Sequence, residues 1–405
     1  MADFNNTLDI LGDDILSDSL FDRTITEFAD NTLTEIYDHA FRSCKKLETI
    51  NLPNAVSVGS NVFDNCISLV NVDLPIVESL GNDTFKNCSS LKAIHLPHIN
   101  NIGTGIFNGC SELVSITLPN ITELKENMFN GCTLLTGLDL SSVTVIGDKA
   151  FANCASLTDE DINVPNLESI GFGAFNGCGL ITTANFPSVT TILSSGESPT
   201  FGNCPLLSSI NVPAIVDLGR YAFYNCGALT SISMPIAETI GERAFFNCKA
   251  LPYANFPEVI SIGNYAFRYC TALASISLPK AQEIGTGSFY NCSALTNVSL
   301  PNVTTIGSEG FYLCSSMTNI DLPSVTSIGS AAFFYCRKLS TIIIRSGGVT
   351  LENSNAFNNT LIASGTGYIY VPSEYLDEYT QATNWSVYAN RFRAIEDYPE
   401  ICGGV

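Results

Sequence analysis

Residues 292–314 read C-S-A-L-T-N-V-S-L-P-N-V-T-T-I-G-S-E-G-F-Y-L-C. Leu295, Val298 and Leu300 follow an L-x-x-V-x-L rhythm whose last three residues alternate apolar, polar, apolar, as a short half-buried strand does. Pro301 removes a ladder donor and ends the strand. Val303, Ile306 and Gly307 form a second inward stretch. The glycine there suits a turn that needs positive φ or a close backbone approach. Phe311 and Cys314, three apart, fit one face of a helical or 3-10 turn that closes the unit.

The same unit recurs along the chain. Fourteen copies of F-x-x-C end at Cys44, Cys66, Cys88, Cys110, Cys132, Cys154, Cys178, Cys204, Cys226, Cys248, Cys270, Cys292, Cys314 and Cys336. The period is 22 residues, broken only by a step of 24 before Cys178 and one of 26 before Cys204. A fixed period of this length signals a stacked repeat architecture, because one such unit buries too little to fold alone. The expected fold is therefore a leucine-rich-repeat solenoid of short parallel strands and turns in 22-residue coils. It would be mainly β with short helical or 3-10 turns, and capped at both ends.

The unit L-x-x-I-x-L-P-x-V-x-x-I-G-x-x-x-F-x-x-C resembles the repeat of BspA-like bacterial leucine-rich-repeat proteins. The resemblance spans about residues 25–344 and departs from the pattern at Lys125 and Leu193, in place of Gly, and at Ser141, in place of Pro. It implies a bacterial surface protein that adheres to host or matrix molecules.

The ends differ. Residues 1–24 carry Leu8, Leu11, Ile15 and Leu16 at helical spacing among aspartates and read as an N-terminal helical cap. Ile25, Phe28, Leu33, Ile36 and Phe41 continue the apolar positions in a degenerate first coil, with Asp30, Asn31 and Tyr37 where Leu, Pro and Gly belong. Residues 345–405 read as a degenerate coil, with Thr360 in the cysteine's place, followed by an α/β cap holding the single Trp, Trp385. That tail resembles the caps of repeat proteins from gut Gram-positive bacteria and similar proteins carried by their phages. A phage tail or virion protein for host recognition or assembly is thus the alternative to a bacterial surface protein.

Composition excludes several functions. A formal charge of −21 with no basic run argues against nucleic acid and anionic membranes as partners. No apolar run is long enough to insert in a bilayer, and residues 1–20 show no secretion leader. The expected location is extracellular, at a cell or virion surface. Fifteen cysteines suggest disulfides or zinc, but a 22-residue period sets fourteen of them in a line, one per coil. They read as a buried ladder of free thiols, with Cys402 as the reactive exception. His39 lies five residues before Cys44, yet the same cysteine recurs without histidine elsewhere, so packing explains it better than nucleophilic catalysis. His95 falls at an outward strand position. The Gly-x-Gly pairs lack a phosphate-loop continuation. Asp159-Glu160-Asp161 lacks the spacing of a calcium loop. No enzyme activity, cofactor or metal is expected.

One asymmetry points to a contact surface. The residue after the repeat Phe is Arg42, Asp64, Lys86, Asn108, Asn130, Ala152, Asn176 and Gly202 in the first eight coils. In the next six it is Tyr224, Phe246, Arg268, Tyr290, Tyr312 and Phe334, with Tyr269 and Tyr335 one position on. If Phe and Cys point inward, these residues line an outer edge and offer ring faces to an extracellular or host protein or glycan. Self-association through the same row stays open. The competing reading is that the rings serve only to pack on one another.

Overall fold

The computed structural model describes residues 24–119, 121–160 and 162–402. The N-terminal cap expected at residues 1–24 falls almost wholly outside them, as does the side chain of Cys402. Chain contacts divide the protein into two compact units, Met1–Ala184 and Asn185–Val405.

In each unit successive coils pair in parallel, one repeat ahead. In the first, Glu27–Ala29, Thr49–Asn51 and Asn71–Asp73 form a ladder with Phe28, Ile50 and Val72 in register. Two-residue strands build another, from Glu35–Ile36 through Ser57–Val58 and Ser79–Leu80 to Asn101–Ile102. In the second unit, Tyr253–Asn255, Ser275–Ser277 and Asn297–Ser299 pair in the same way. A long ladder there includes Asp217–Leu218, Thr239–Ile240, Ser261–Ile262, Glu283–Ile284 and Thr305–Ile306. Inward residues of the motif are buried almost without exception, so each coil adds a slice to a shared core.

The turn after the glycine is not helical. Every F-x-x-C coil but that of Cys204, which has Pro199 at the first of them, places two residues there in the left-handed region, five and one before its cysteine, as at Asn61 and Asn65 or Gly105 and Gly109. Left-handed residues interrupt any longer helix, so the expected closure is reduced to single turns with the three-residue hydrogen-bond spacing of a 3-10 turn, such as Cys314 N–H to Phe311 O at 3.1 Å. This edge is also stitched between coils. The N–H groups of Gly287, Phe289 and Asn291 donate to the carbonyls of Ser308, Gly310 and Tyr312 at 2.9, 2.8 and 2.7 Å.

The glycine of the I-G step is required by crowding rather than by φ. A Cβ on Gly263 would sit 2.5 Å from the Glu242 nitrogen of the preceding coil, and one on Gly329 would lie 2.4 Å from that of Ser308. Gly263→Ala is therefore expected to cost about 1–3 kcal/mol by overpacking. Gly227→Ala, where a Cβ meets nothing within 4 Å, should change stability by less than about 0.5 kcal/mol. Denaturant unfolding of the two variants checks this, and equal losses would contradict it.

The core stacks like on like. Phe41, Phe63, Phe85, Phe107, Phe129, Phe151 and Phe175 follow one another at 5.2–5.7 Å between ring centroids in the first unit. Phe201 through Phe333 and Phe357 do so in the second, at 5.0–5.6 Å. The fourteen cysteines of the F-x-x-C series are buried. Their thiols are also donors: Cys314 Sγ reaches Phe289 O at 3.1 Å and Cys66 Sγ reaches Phe41 O at 3.1 Å, each in the preceding coil. The residue therefore both fills space and links coils. Desolvation, with smaller contributions from neighbouring thiols, pushes the thiols of Cys88, Cys248 and Cys292 well above the usual range.

Both insertions are absorbed locally. The carboxylate of Asp159 accepts the N–H groups of Thr182 and Thr183 at 2.6 and 2.9 Å and both their hydroxyls, which gives the acidic insertion a structural role. The longer one folds as a loop in which Ser194 Oγ accepts from Thr200 N–H at 2.9 Å and Ser195 Oγ from Ser198 N–H at 3.1 Å. Near the N-terminus, Asp30 turns the degenerate coil by accepting the N–H groups of Thr32 and Leu33.

The last coil is closed by the segment that follows it, with an added strand. Thr360 is buried and caps Leu361–Ser364, its hydroxyl accepting from Ala363 N–H at 3.1 Å and donating to Phe357 O at 2.6 Å. Tyr368–Val371 extends the sheet, and Phe392–Ala394, read in the sequence only as part of an amphipathic piece, pairs beside it. Trp385 is buried, lies 5.7 Å from Phe357 and donates its indole N–H to Val349 O at 2.7 Å. It ends the phenylalanine stack.

Candidate functional site

The turn edge of the second unit differs from that of the first in what it places on the same backbone. In the first unit the left-handed positions hold Asn, Gly, Asp, His, Ser or Lys. In the second they include Tyr221, Arg243, Tyr265, Tyr269, Leu313 and Tyr335. A left-handed conformation costs roughly 1–2 kcal/mol for a residue with a branched or bulky side chain, whereas Asn and Gly adopt it readily. At Tyr221, Tyr265, Tyr269 and Tyr335 the edge thus carries backbone strain that asparagine would relieve.

The residues singled out in the sequence come together here. Tyr224 stacks on Phe246 at 5.0 Å, Tyr290 on Tyr312 at 4.6 Å and Tyr312 on Phe334 at 5.3 Å. Tyr269 meets Phe246 and Tyr290 edge to face at 5.4 and 5.8 Å, and Tyr335 meets Phe334 in the same way at 4.8 Å. All are half-buried. The stack corrects one expectation. Faces of Tyr290, Tyr312 and Phe334 are spent on one another, which leaves mainly ring edges and hydroxyls on the outer side of the row.

Arg268 occupies the middle of the row. Its guanidinium carbon lies 4.1, 5.0 and 5.2 Å from the ring centroids of Tyr290, Tyr269 and Tyr265, and Nη2 donates to Tyr269 Oη at 3.2 Å. Nε is buried without an acceptor, and no carboxylate pairs with this arginine among the described residues. Burial raises the Tyr290 phenol pKa, reinforced by Tyr312 and opposed by Arg268, while Tyr312 is raised chiefly by burial as well. Both hydroxyls thus stay protonated donors at physiological pH.

Three members of the cluster escape a reading of the position after Phe. Tyr221, Arg243 and Tyr265 stand five residues before their cysteines. Arg243 contacts the Tyr221 hydroxyl, pairs with Glu242 at 2.8 Å and lies 5.1 Å from the Tyr265 ring. Aligning the coils at that position would have exposed them beside Gly173 and Asn127. Among the described residues no three His, Cys, Asp or Glu side chains gather as a metal site, and no helix is long and apolar enough to cross a membrane.

Residues 14–136, 78–196, 194–302 and 260–369 match the family described as a BspA type leucine rich repeat region of six copies. Among solved structures, a leucine-rich repeat protein from Bacteroides ovatus is 26% identical with a TM-score of 0.61, over 90% of this chain and 88% of that one. A leucine rich cell surface protein from Faecalibacterium prausnitzii is 26% identical with a TM-score of 0.44, over 66% of this chain and 83% of that one. No curated protein matches the chain.

Proposed function

Because the chain belongs to the BspA type leucine-rich repeat family, whose members serve generally as binding scaffolds, we propose that it is a non-catalytic adhesion protein of the bacterial surface. Its contact surface is the arginine and tyrosine edge of the second unit, and its partner an extracellular or host protein. The observation that carries this reading is the strained tyrosine backbone around Arg268. Tyr and Arg are the side chains that most often anchor protein interfaces, and these are held rigid by their neighbours before any partner arrives. Exposed ring edges carry partial positive charge and the phenols donate, so the edge suits acceptor groups on the partner.

Tyr290→Ser with Tyr312→Ser is expected to weaken partner binding by about 1–2 kcal/mol or more per anchor, roughly tenfold each. Arrays of extracellular proteins and glycans, probed with wild-type and variant chains, measure it. Should the double variant melt earlier yet keep every affinity, the row serves packing alone.

A further inference from the structure

On the strand face of the second unit, one outward row reads Ser209, Ser231, Tyr253, Ser275, Asn297, Asn319 and Thr341. Tyr253 is the outlier, a large ring in a row of small polar side chains, and it is 58% exposed. Every other aromatic near it in sequence is engaged: Phe256 packs on Phe245 and Phe267, and Tyr265 holds two arginines. Among the described residues Tyr253 has no stacking partner, no cation and no side-chain hydrogen bond, so neither an aromatic ring nor a cation occupies its faces.

Beside it runs a shallow groove of about 490 Å³ bounded by Tyr253, Asn255, Ser275, Ser277, Asn297 and Ser299. That volume lies within the range typical of small-molecule sites. No charged side chain lines it, in a chain whose formal charge is −21. Its polar side chains are also unspent. Elsewhere on such faces they bond to one another, as Asn211 does to Asn185 at 2.8 Å and Asn71 to Thr49 at 3.4 Å. Asn255, Ser275, Ser277, Asn297 and Ser299 make no side-chain hydrogen bond among the described residues.

We infer that this groove is a binding site for a neutral saccharide, with Tyr253 as the platform for a sugar ring. The C–H face of a pyranose is apolar and weakly positive and matches the electron-rich face of the phenol. Sugar hydroxyls both donate and accept, which serves the amides and serines together. An apolar protein surface laid here would desolvate those groups without replacing their bonds. An added peptide strand is excluded at the middle of the groove, because Ser275–Ser277 is already paired on both sides. Strand spacing of roughly 4.8 Å sets one amide or hydroxyl pair per coil, close to the length of one sugar residue. The site is separate in sequence and chemistry from the Arg268 edge and does not depend on it.

The test is calorimetric titration of the full chain with a panel of neutral oligosaccharides: maltotetraose, cellotetraose, xylotetraose, mannotetraose, galactotetraose and chitotetraose. At least one is expected to bind with a submillimolar Kd. Tyr253→Ala should weaken it about tenfold or more, Tyr253→Phe should stay within about threefold because the ring is what acts, and Asn297→Ala should lose several-fold. Melting temperatures of the three variants should match wild type, since Tyr253 is exposed. The Tyr290→Ser, Tyr312→Ser variant should bind the saccharide as wild type does, so the two sites succeed or fail separately. Absence of binding across the panel at millimolar concentration overturns the inference. So does saccharide binding that Tyr253→Ala leaves unchanged, or a protein partner lost in Tyr253→Ala when no saccharide binds.

Discussion

Alkaline solution is expected to unfold this protein steeply, starting near pH 8.5 and well before its lysines titrate. Ten thiols, five in each unit, are held above their ordinary pKa by burial: Cys66, Cys88, Cys110, Cys132 and Cys154, then Cys226, Cys248, Cys270, Cys292 and Cys314. In the unfolded chain each ionises near its ordinary value of about 8.5, while in the fold it stays protonated. A group whose folded pKa is raised contributes stability below the unfolded value and loses it as pH climbs toward the folded one. The loss is about 1.4 kcal/mol per pH unit per thiol, on the order of 10 kcal/mol per unit for ten, which is comparable to a typical domain's whole stability. Far-UV circular dichroism against pH should show a sharp transition between about pH 9 and 10 that releases several protons per molecule. At pH 7 the same thiols should resist alkylation until the chain is denatured. A structure that persists unchanged to pH 11, or rapid native alkylation of many cysteines, would contradict the buried ladder.

Removing one ring from the phenylalanine stack should cost about 3–5 kcal/mol, and the consequence depends on where the ring stands. Phe267 lies 5.0 Å from Phe245 and 5.3 Å from Phe289, in the middle of the second unit. In a protein stabilised by nearest-neighbour interfaces, Phe267→Ala weakens coupling to both sides and should split one transition into two. Trp385→Ala removes the terminal ring and leaves the Val349 carbonyl without its indole donor, so it should fray the last coils first. The chain has one tryptophan, so in Phe267→Ala its fluorescence follows the C-terminal end while circular dichroism follows all coils. Wild type should give coincident curves and Phe267→Ala separated ones. Coincident curves in that variant would mean the stack is more cooperative than nearest-neighbour coupling allows.

The proposed contact edge was partly legible. Tyr224, Phe246, Arg268, Tyr290, Tyr312 and Phe334 stand out as soon as the coils are aligned on Phe, because the period transfers position to position. Tyr221, Arg243 and Tyr265 did not, since they stand five residues before the cysteine, and only the folded turn brings that position beside the one after Phe. Thr360 looked like a lost cysteine. It proved to be the cap of a short helix, a role set by the chain that follows it rather than by the repeat.

The sequence by itself determined the coil: its 22-residue period, which side chains face inward, where the strand ends, and that the cysteines form a line too regular for bridges or zinc. Those properties are local or periodic, and burial enforces them identically in every repeat. Only the tertiary structure decided that the I-G glycine is needed for close approach of the preceding coil's backbone, that most of the thiols donate to a carbonyl one coil back, and that the aromatic row spends its faces internally. It also left Tyr253 exposed beside an uncharged groove. These depend on how one coil lies against the next, a spacing of a few ångströms that no residue encodes alone.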